Sequence, residues 1–507
     1  MPSDKIIALE KLTEIVTGLR KQNQKIIHCH GCFDLLHIGH IRYLQQAKQM
    51  GDILIVTITP DQYVDKGPRR PAFNADYRAE AIASLDSVDY VTLNKWPTAE
   101  EALRLLRPDV YVKGSDFKNA ASDPTGKLVQ EEKIVKEIGA ELAFTEDIVF
   151  SSTNLINRFF TMFPEETQQY LKIFRTRYNL EEIIALLNQI SSLNVLVIGD
   201  TILDDYHYCH AIGTSSKDPA LALQYESHDL FAGGVLAVAN HVANFAGKVQ
   251  LVTVLGTNES YENFIRSKLH PNVDPYFVYQ DDAPTLMKRR FVEGYSLNKL
   301  FEVYIMDDSG LSADKDIALR NWLKEKIKNY DMVIAADFGH GAISDRIRKT
   351  LVDKAPFLAV NTQANAGNRG FHTVSRYHQA DFVSIAEHEI RLEMRDTKGQ
   401  INPMVEKISD LMCCDCFVLT RGKRGCVIKS KDGPIIEVPA FAQTVVDRIG
   451  AGDAFLSVTA LAAFLKAEPE LIGFIGNAVG ALAVEILGNQ KAIDKMSLQK
   501  YLTALMK

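Results

Sequence analysis

The sequence predicts two α/β domains with parallel sheets, joined by a helical segment. Runs rich in β-branched residues alternate with helix-period segments, the pattern of strands linked by helical crossovers. At 507 residues the chain is too long for one ordinary core, since a domain takes about 100–200 residues. The alternation is interrupted once, over residues 161–190, by a stretch that is charged, aromatic and helical in spacing, without the Gly and Ser of a flexible tether.

Taken in order, Ile6–Lys21 places Ile7, Leu9, Leu12, Ile15, Val16 and Leu19 at helical spacing and predicts an amphipathic helix. Lys25–Cys29 is an apolar run that ends at Gly31, and Ile53–Thr59, Asp89–Leu93 and Val110–Lys113 repeat it between helix-like segments. These make the first domain, 1–160, followed by a helical connector at 161–190. A second strand series starts at Asn194–Gly199 and continues through Val249–Leu255, Met332–Ala336, Phe357–Val360, Asp381–Ile385 and Phe417–Thr420, giving a second domain over 191–507.

Composition narrows the function. Hydrophobic residues make up 46% and charged residues 24%, as in soluble globular proteins. A net charge of −7 argues against a nucleic-acid partner, which needs a basic face. The N-terminus lacks a signal-peptide pattern, and the longest apolar stretch, Phe455–Leu465, is well short of a membrane span. Seven cysteines in so long a chain do not suggest a disulfide framework. A cytoplasmic protein with no membrane partner is expected.

Two segments carry chemistry. In KIIHCHGCFDLLHIGHIRYL a strand and a Gly-containing turn lead to His37, Gly39 and His40 at a helix start, where unpaired N–H groups and the dipole receive phosphate. The histidines would donate to charge developing on an α-phosphate; the alternative is that they only cap the helix. In DRIGAGDAF, Gly450, Ala451 and Gly452 offer backbone donors for a transferring phosphoryl group, and Asp453 is placed to take a proton from an attacking hydroxyl. Cys29 and Cys32 form a CxxC that does not complete a zinc site. The Cys413–Cys416 cluster reads as buried small hydrophobes.

GCFDLLHIGHIRYL, spanning Gly31, Phe33, Asp34 and the histidines, resembles the first motif of the nucleotidyltransferases that include cytidylyltransferases and heptose-phosphate adenylyltransferases, with His30 as a departure. The resemblance covers about residues 5–160. It implies a phosphate-binding role for Lys66, with Arg78 in the segment after it, and nucleotide contacts from Lys113 and Gly114 in VKGSDF and from Ser151, Ser152 and Thr153. The VKGSDF loop favours ATP over CTP, with CTP left open. Residues 192–507 resemble the ribokinase-like (PfkB) sugar kinases. That resemblance implies Asp204, Gly233, Gly234, Asn240 and Arg448 on the sugar side, and Thr420, Gly422 and Gly425 beside the nucleotide. It also implies Glu389 at the magnesium-binding element, where Ala386 replaces the usual Asn. Ala237 stands where an Asn is usual, and Asp447 matches the signature aspartate. The polar stretch Asn361–Arg376, with Arg369, His372 and Arg376, is either a substrate loop or a solvated one.

The pairing resembles the bifunctional heptose kinase and heptose-phosphate adenylyltransferase family with its domains in reversed order. It implies a Mg²⁺-dependent enzyme that phosphorylates a sugar at Asp453. His37, His40 and Lys66 would then join a sugar 1-phosphate to ATP, giving ADP-sugar and pyrophosphate. Sugar phosphates and nucleoside triphosphates are its expected partners, and a homo-oligomer its expected state. Two alternatives stand: a cytidylyltransferase making a CDP-sugar or CDP-polyol with a matching kinase, and an active transferase joined to a degenerate, sugar-sensing kinase half.

Overall fold

The computed structural model describes residues 2–64, 71–114, 127–145, 163–307 and 309–507. The chain forms two compact units, the body of the first being 1–162 and that of the second 163–502.

The first unit holds five parallel strands, β1 (Ile26–Gly31), β2 (Ile53–Ile58), β3 (Tyr90–Leu93), β4 (Val110–Lys113) and β5 (Glu141–Phe144), in the order β3-β2-β1-β4-β5. Successive side chains of a strand face opposite sides, and both sides here are covered. Ile27 and Cys29 pack with Leu44, Ala79 and Ile82 on one face. Ile26 and Ile55 meet Leu9, Leu12 and Val16 of the helix Leu9–Lys21 on the other. Strand order reverses between β1 and β4, and ligands of open parallel sheets bind in the crevice at that reversal. The turn after β1, leading into the helix Ile38–Lys48, opens there.

In the second unit the main sheet runs β9 (Val273–Pro284), β8 (Lys248–Asn258), β6 (Asn194–Thr214), β12 (Met332–Asp337), β13 (Leu358–Thr362), β14 (Phe382–Ala386), β15 (Cys416–Thr420), β16 (Cys426–Ser430) and β17 (Ile435–Val438). It is parallel up to β15 and antiparallel beyond. Its strand interiors are apolar and covered, as parallel sheets require.

Strand β6 belongs to two sheets. Asn194–Asp200 pairs with β8, and beyond Asp200 the strand continues into a small sheet with β7 (Leu221–Gly234), β10 (Met287–Glu293) and β11 (Lys299–Ile305). The small sheet escapes a search for apolar runs because much of β7 is exposed. The segment expected as a connector is helical, in Glu165–Arg177 and Leu180–Gln189. The first of these helices packs into the second unit: Phe174 stacks on Phe474 at 4.0 Å, and Arg177 pairs with Glu470 at 2.8 Å. Among the described residues, no helix is long and apolar enough to cross a membrane.

Candidate active sites

In the first unit the turn after β1 is held under strain. Phe33, buried, adopts φ +48°, and its ring lies against Gly31, where a Cβ would crowd it at 3.0 Å. The ring meets His40 edge-on at 5.4 Å, and His40 stacks on His37 at 3.9 Å. His37 is the N-cap: its Nδ1 accepts from the Gly39 N–H at 3.1 Å. Capping and phosphate binding are therefore compatible, because an accepting Nδ1 fixes the tautomer that donates from Nε2.

Two residues expected at the nucleotide have internal partners. Arg78 is buried and donates to the carbonyls of Cys32, Thr59 (2.8 Å) and Phe73 (3.0 Å) and to Asp61 (2.6 Å), so it clamps the turns after β1 and β2 together. That geometry assigns it to positioning the turn and not to phosphate contact, a correction to the sequence expectation. Lys113 is also buried, ion-paired with Glu131 at 2.6 Å, while Tyr111 donates to the same carboxylate at 3.1 Å. Asp34 accepts from the Ala72 N–H, and Gly114 follows the end of β4. Lys66, Ser151, Ser152 and Thr153 lie outside the described residues. Sequence reasoning missed a polar ladder beneath the turn, in which His28 and His30 each bond Thr57 Oγ1 at 2.8 Å. Burial pushes the His28 imidazole down to about 3, so that ring is neutral.

In the second unit Asp453 sits in the first turn of the helix Ala451–Phe464. Gly450 precedes it at φ +80°, packed so tightly on Asn489 that a Cβ would overlap the Asn489 Oδ1 atom. Burial and the nearby Asp204 carboxylate push Asp453 up to about 7. Asp204 is held by Arg290 of β10 and by Asn489 Nδ2 at 3.1 Å. Gly233 backs directly onto its carboxylate, which leaves no space for a Cβ, and Gly234 follows at φ +57°. Asp447 is a brace, accepting from Tyr206 (2.8 Å), Lys299 (2.7 Å) and the Ile449 and Gly488 N–H groups. Burial alone would raise its pKa, but these bonds outweigh burial and hold it below the usual carboxylate range.

Other expected residues divide. Glu389 is buried, and its two oxygens accept from the Ala364 and Ala386 N–H groups at 3.0 and 2.6 Å. Thr420 ends β15, and Gly422 and Gly425 shape the turn to β16 at φ +58° and +80°. Arg448 is exposed. Asn240 points away from a sugar role, a second correction: it donates to the Lys268 carbonyl and accepts from the His270 N–H at 2.8 Å, tying its helix to a turn. From the polar stretch, His372 meets Asp337 at 3.0 Å and Arg376 meets Asp345 at 2.6 Å, while Arg369 is exposed. Arg290, Lys288 and Asn489 carry no motif; three consecutive cations in the strand-like run MKRRF were the available signal.

With this geometry in hand, comparison with known proteins is informative. A cytidylyltransferase-like family model matches residues 28–158, and the pfkB family carbohydrate kinase model matches residues 192–496. Among curated relatives, bifunctional protein HldE of Aliarcobacter butzleri (strain RM4018) is 37% identical over 156 residues, 30% of this chain and 30% of that protein. Bifunctional protein HldE of Helicobacter pylori (strain G27) is 47% identical over 117 residues, 23% of this chain and 25% of that one. The chain thus aligns with about a third or less of the length of these relatives, in its N-terminal part. A crystal structure of phosphofructokinase-2 from Escherichia coli in complex with potassium matches with a TM-score of 0.50 at 15% identity, covering 62% of this chain and 100% of that one, which shows the fold. The chain belongs to the pfkB family of carbohydrate kinases and carries a cytidylyltransferase-like nucleotidyltransferase domain ahead of the kinase domain.

Proposed function

We propose that the protein is a bifunctional enzyme of nucleotide-sugar synthesis, one half phosphorylating a heptose-phosphate-like sugar and the other converting a sugar 1-phosphate to an ADP-sugar. The observation that carries this reading is that each unit has its own helix start fitted with proton-handling groups, Asp453 in one and the stacked His37–His40 pair in the other.

In the kinase half, Asp204 orients the acceptor. Asp453 takes the proton of its hydroxyl as the oxygen attacks the γ-phosphorus of ATP and ADP departs. N–H groups from Gly450 to Gly452 receive the transferring phosphoryl. Glu389 suits magnesium: a carboxylate has about four acceptor sites, two here are taken by backbone N–H groups, and the remainder would be available to hold the cation. When bound, Mg²⁺ would neutralise phosphate charge. In the transferase half a sugar 1-phosphate oxygen attacks the α-phosphorus of ATP and pyrophosphate leaves. His37 and His40 donate to the developing charge, and we assign Lys66 and Ser151–Thr153 to the phosphates and nucleotide by resemblance. Lys113, Gly114, Thr420, Gly422, Gly425 and Arg448 keep their proposed ligand-side roles.

Free thiols at all seven cysteines suit a reducing compartment, and we place the enzyme in the cytoplasm. Exposed Ile212, Tyr225 and Phe301 on the small sheet support a homo-oligomer. The test supplies the full chain with sugar 1-phosphates and either ATP or CTP, following pyrophosphate, and with sugar phosphates and Mg·ATP, following ADP. Pyrophosphate release faster with ATP than CTP, together with ADP release, is expected. Preference for CTP would move the product to a CDP-sugar, and the absence of ADP release with every sugar supplied would mark the second half as a sensor.

A further inference from the structure

The small sheet carries a second cluster of polar groups, on the face turned away from Asp204. Alternate side chains of a strand face opposite sides, so in β6 Asp204 and Tyr206 share one face while Asp205 and His207 share the other. His228 of β7 lies directly opposite His207 in the antiparallel pairing, and residues paired in this way share a face. One nitrogen or carboxylate oxygen from each of Asp205, His207 and His228 lies within 4.8 Å of the other two. His207 Nε2 is 2.8 Å from Asp205 Oδ2. Two donors on one tetrahedral metal with bonds of about 2.0–2.1 Å stand about 3.3 Å apart, so a small adjustment brings this pair to that spacing.

An ion pair alone accounts for two of the three residues and leaves the third unexplained. Asp205 is buried and is bonded to His207 and to Arg289 Nε at 2.7 Å. Both bonds fall on Oδ2, so among the described residues Oδ1 is left open. His228 has no carboxylate partner among the described residues, and its Nδ1 lies 3.4 Å from the Tyr225 hydroxyl, the kind of outer contact that orients a metal-binding imidazole. The His207 ring is packed between Phe291 and His228, each at 5.3 Å. The donor set also selects the metal. Arg289 offsets the charge of Asp205, so the attraction comes largely from two imidazoles, which suit Zn²⁺ and its neighbours, whereas Mg²⁺ and Ca²⁺ take oxygen ligands.

We propose that Asp205, His207 and His228 form a binding site for one divalent transition metal, with Zn²⁺ the best match to the donor set and water as the fourth ligand. The metal would tie β6 to β7 across the face opposite the one that carries Asp204. The site is independent of the kinase reading, since no substrate and no reaction enters it.

The test titrates the full chain, stripped with EDTA and held in excess Mg²⁺, with Zn²⁺ by calorimetry, in wild type, H228A, H207Q and H210A. His228 is exposed, so H228A removes a donor without touching the core, and the H207Q amide can still donate to Asp205. His210 is an exposed histidine of the same strand outside the cluster and controls for adventitious binding at the surface. Wild type and H210A should bind one Zn²⁺ at least tenfold more tightly than H228A or H207Q, because even an outer-shell partner is worth about 10–100-fold in metal affinity. Zn²⁺ should also slow amide hydrogen exchange at Asp205–Tyr208 and Ser227–Leu230 in wild type and not in H228A. Identical isotherms for wild type and H228A would overturn the proposal, as would an equal loss in H210A. Zn²⁺ binding seen only when Mg²⁺ is left out would mark a hard-cation site and overturn the assignment of the metal.

Discussion

Asp453 shows how a few neighbours bring a carboxylate into the range that a general base needs. Removed from water and facing the Asp204 carboxylate, it is held at about 7, close to the pH at which a general base works best. Below that value the group is protonated and cannot accept the hydroxyl proton. The kinase kcat/KM should therefore fall about tenfold per unit as pH drops below about 7, read as ADP release across a pH series. Stability should show the opposite sign. A carboxyl whose folded pKa is raised stabilises the fold while protonated, and that contribution is lost as pH rises through about 7. D453N should thus raise the melting temperature at pH 8 clearly more than at pH 5, because the loss in wild type accumulates from the ordinary carboxylate value up to about 7; an equal gain at both would contradict the raised value. Asp453 and its glycines stand out in the sequence because they are contiguous, and the structure places them at one helix start. Lys288, Arg290 and Asn489 are not, since each acquires its role only when the small sheet or the Asn489 loop is brought against Asp204. Arg78 and Asn240 fail in the opposite sense: residue type suggests ligand contact, yet local packing claims every donor of one and both amide ends of the other.

At the scale of elements, hydrophobic pattern identifies what is buried on both faces and little else. Strands β2 and β12 and the first part of β6, Val195–Ile198, are near-continuous apolar runs and stand out for that reason. The small sheet does not, because strands open to water on one side mix polar and apolar residues. The helix Glu165–Arg177 has too few apolar positions to look like core, and its partners lie some three hundred residues away in the helix Pro469–Ala483. Phe174 is fully buried and stacks on both Phe474 and Tyr178. F174A should destabilise the second unit by about 3–5 kcal/mol. Hydrogen exchange on the full chain is the readout: faster exchange should appear in the helix Pro469–Ala483 and not in β1–β5. Unchanged exchange there would show the helix to be a free connector.

For the whole molecule, net negative charge and the proposed phosphate chemistry are compatible because phosphate would be received locally. Helix starts at Ile38 and Ala451 supply oriented N–H groups, and the cations Arg290 and Lys299 are each set against a specific carboxylate. No basic surface is required. Each unit has its own core, and one of the two proposed reactions falls to each. The most direct test is a crossover of two variants in the full chain, with ADP and pyrophosphate measured on the same preparations. D453N should reduce ADP release by a factor of about 10²–10⁴, the usual contribution of a general base, with pyrophosphate release kept within about twofold. H40N should reduce pyrophosphate release by about 10²–10³, the scale of one lost donor to a developing oxyanion, while ADP release persists. Loss of both products in either variant would contradict two separate sites.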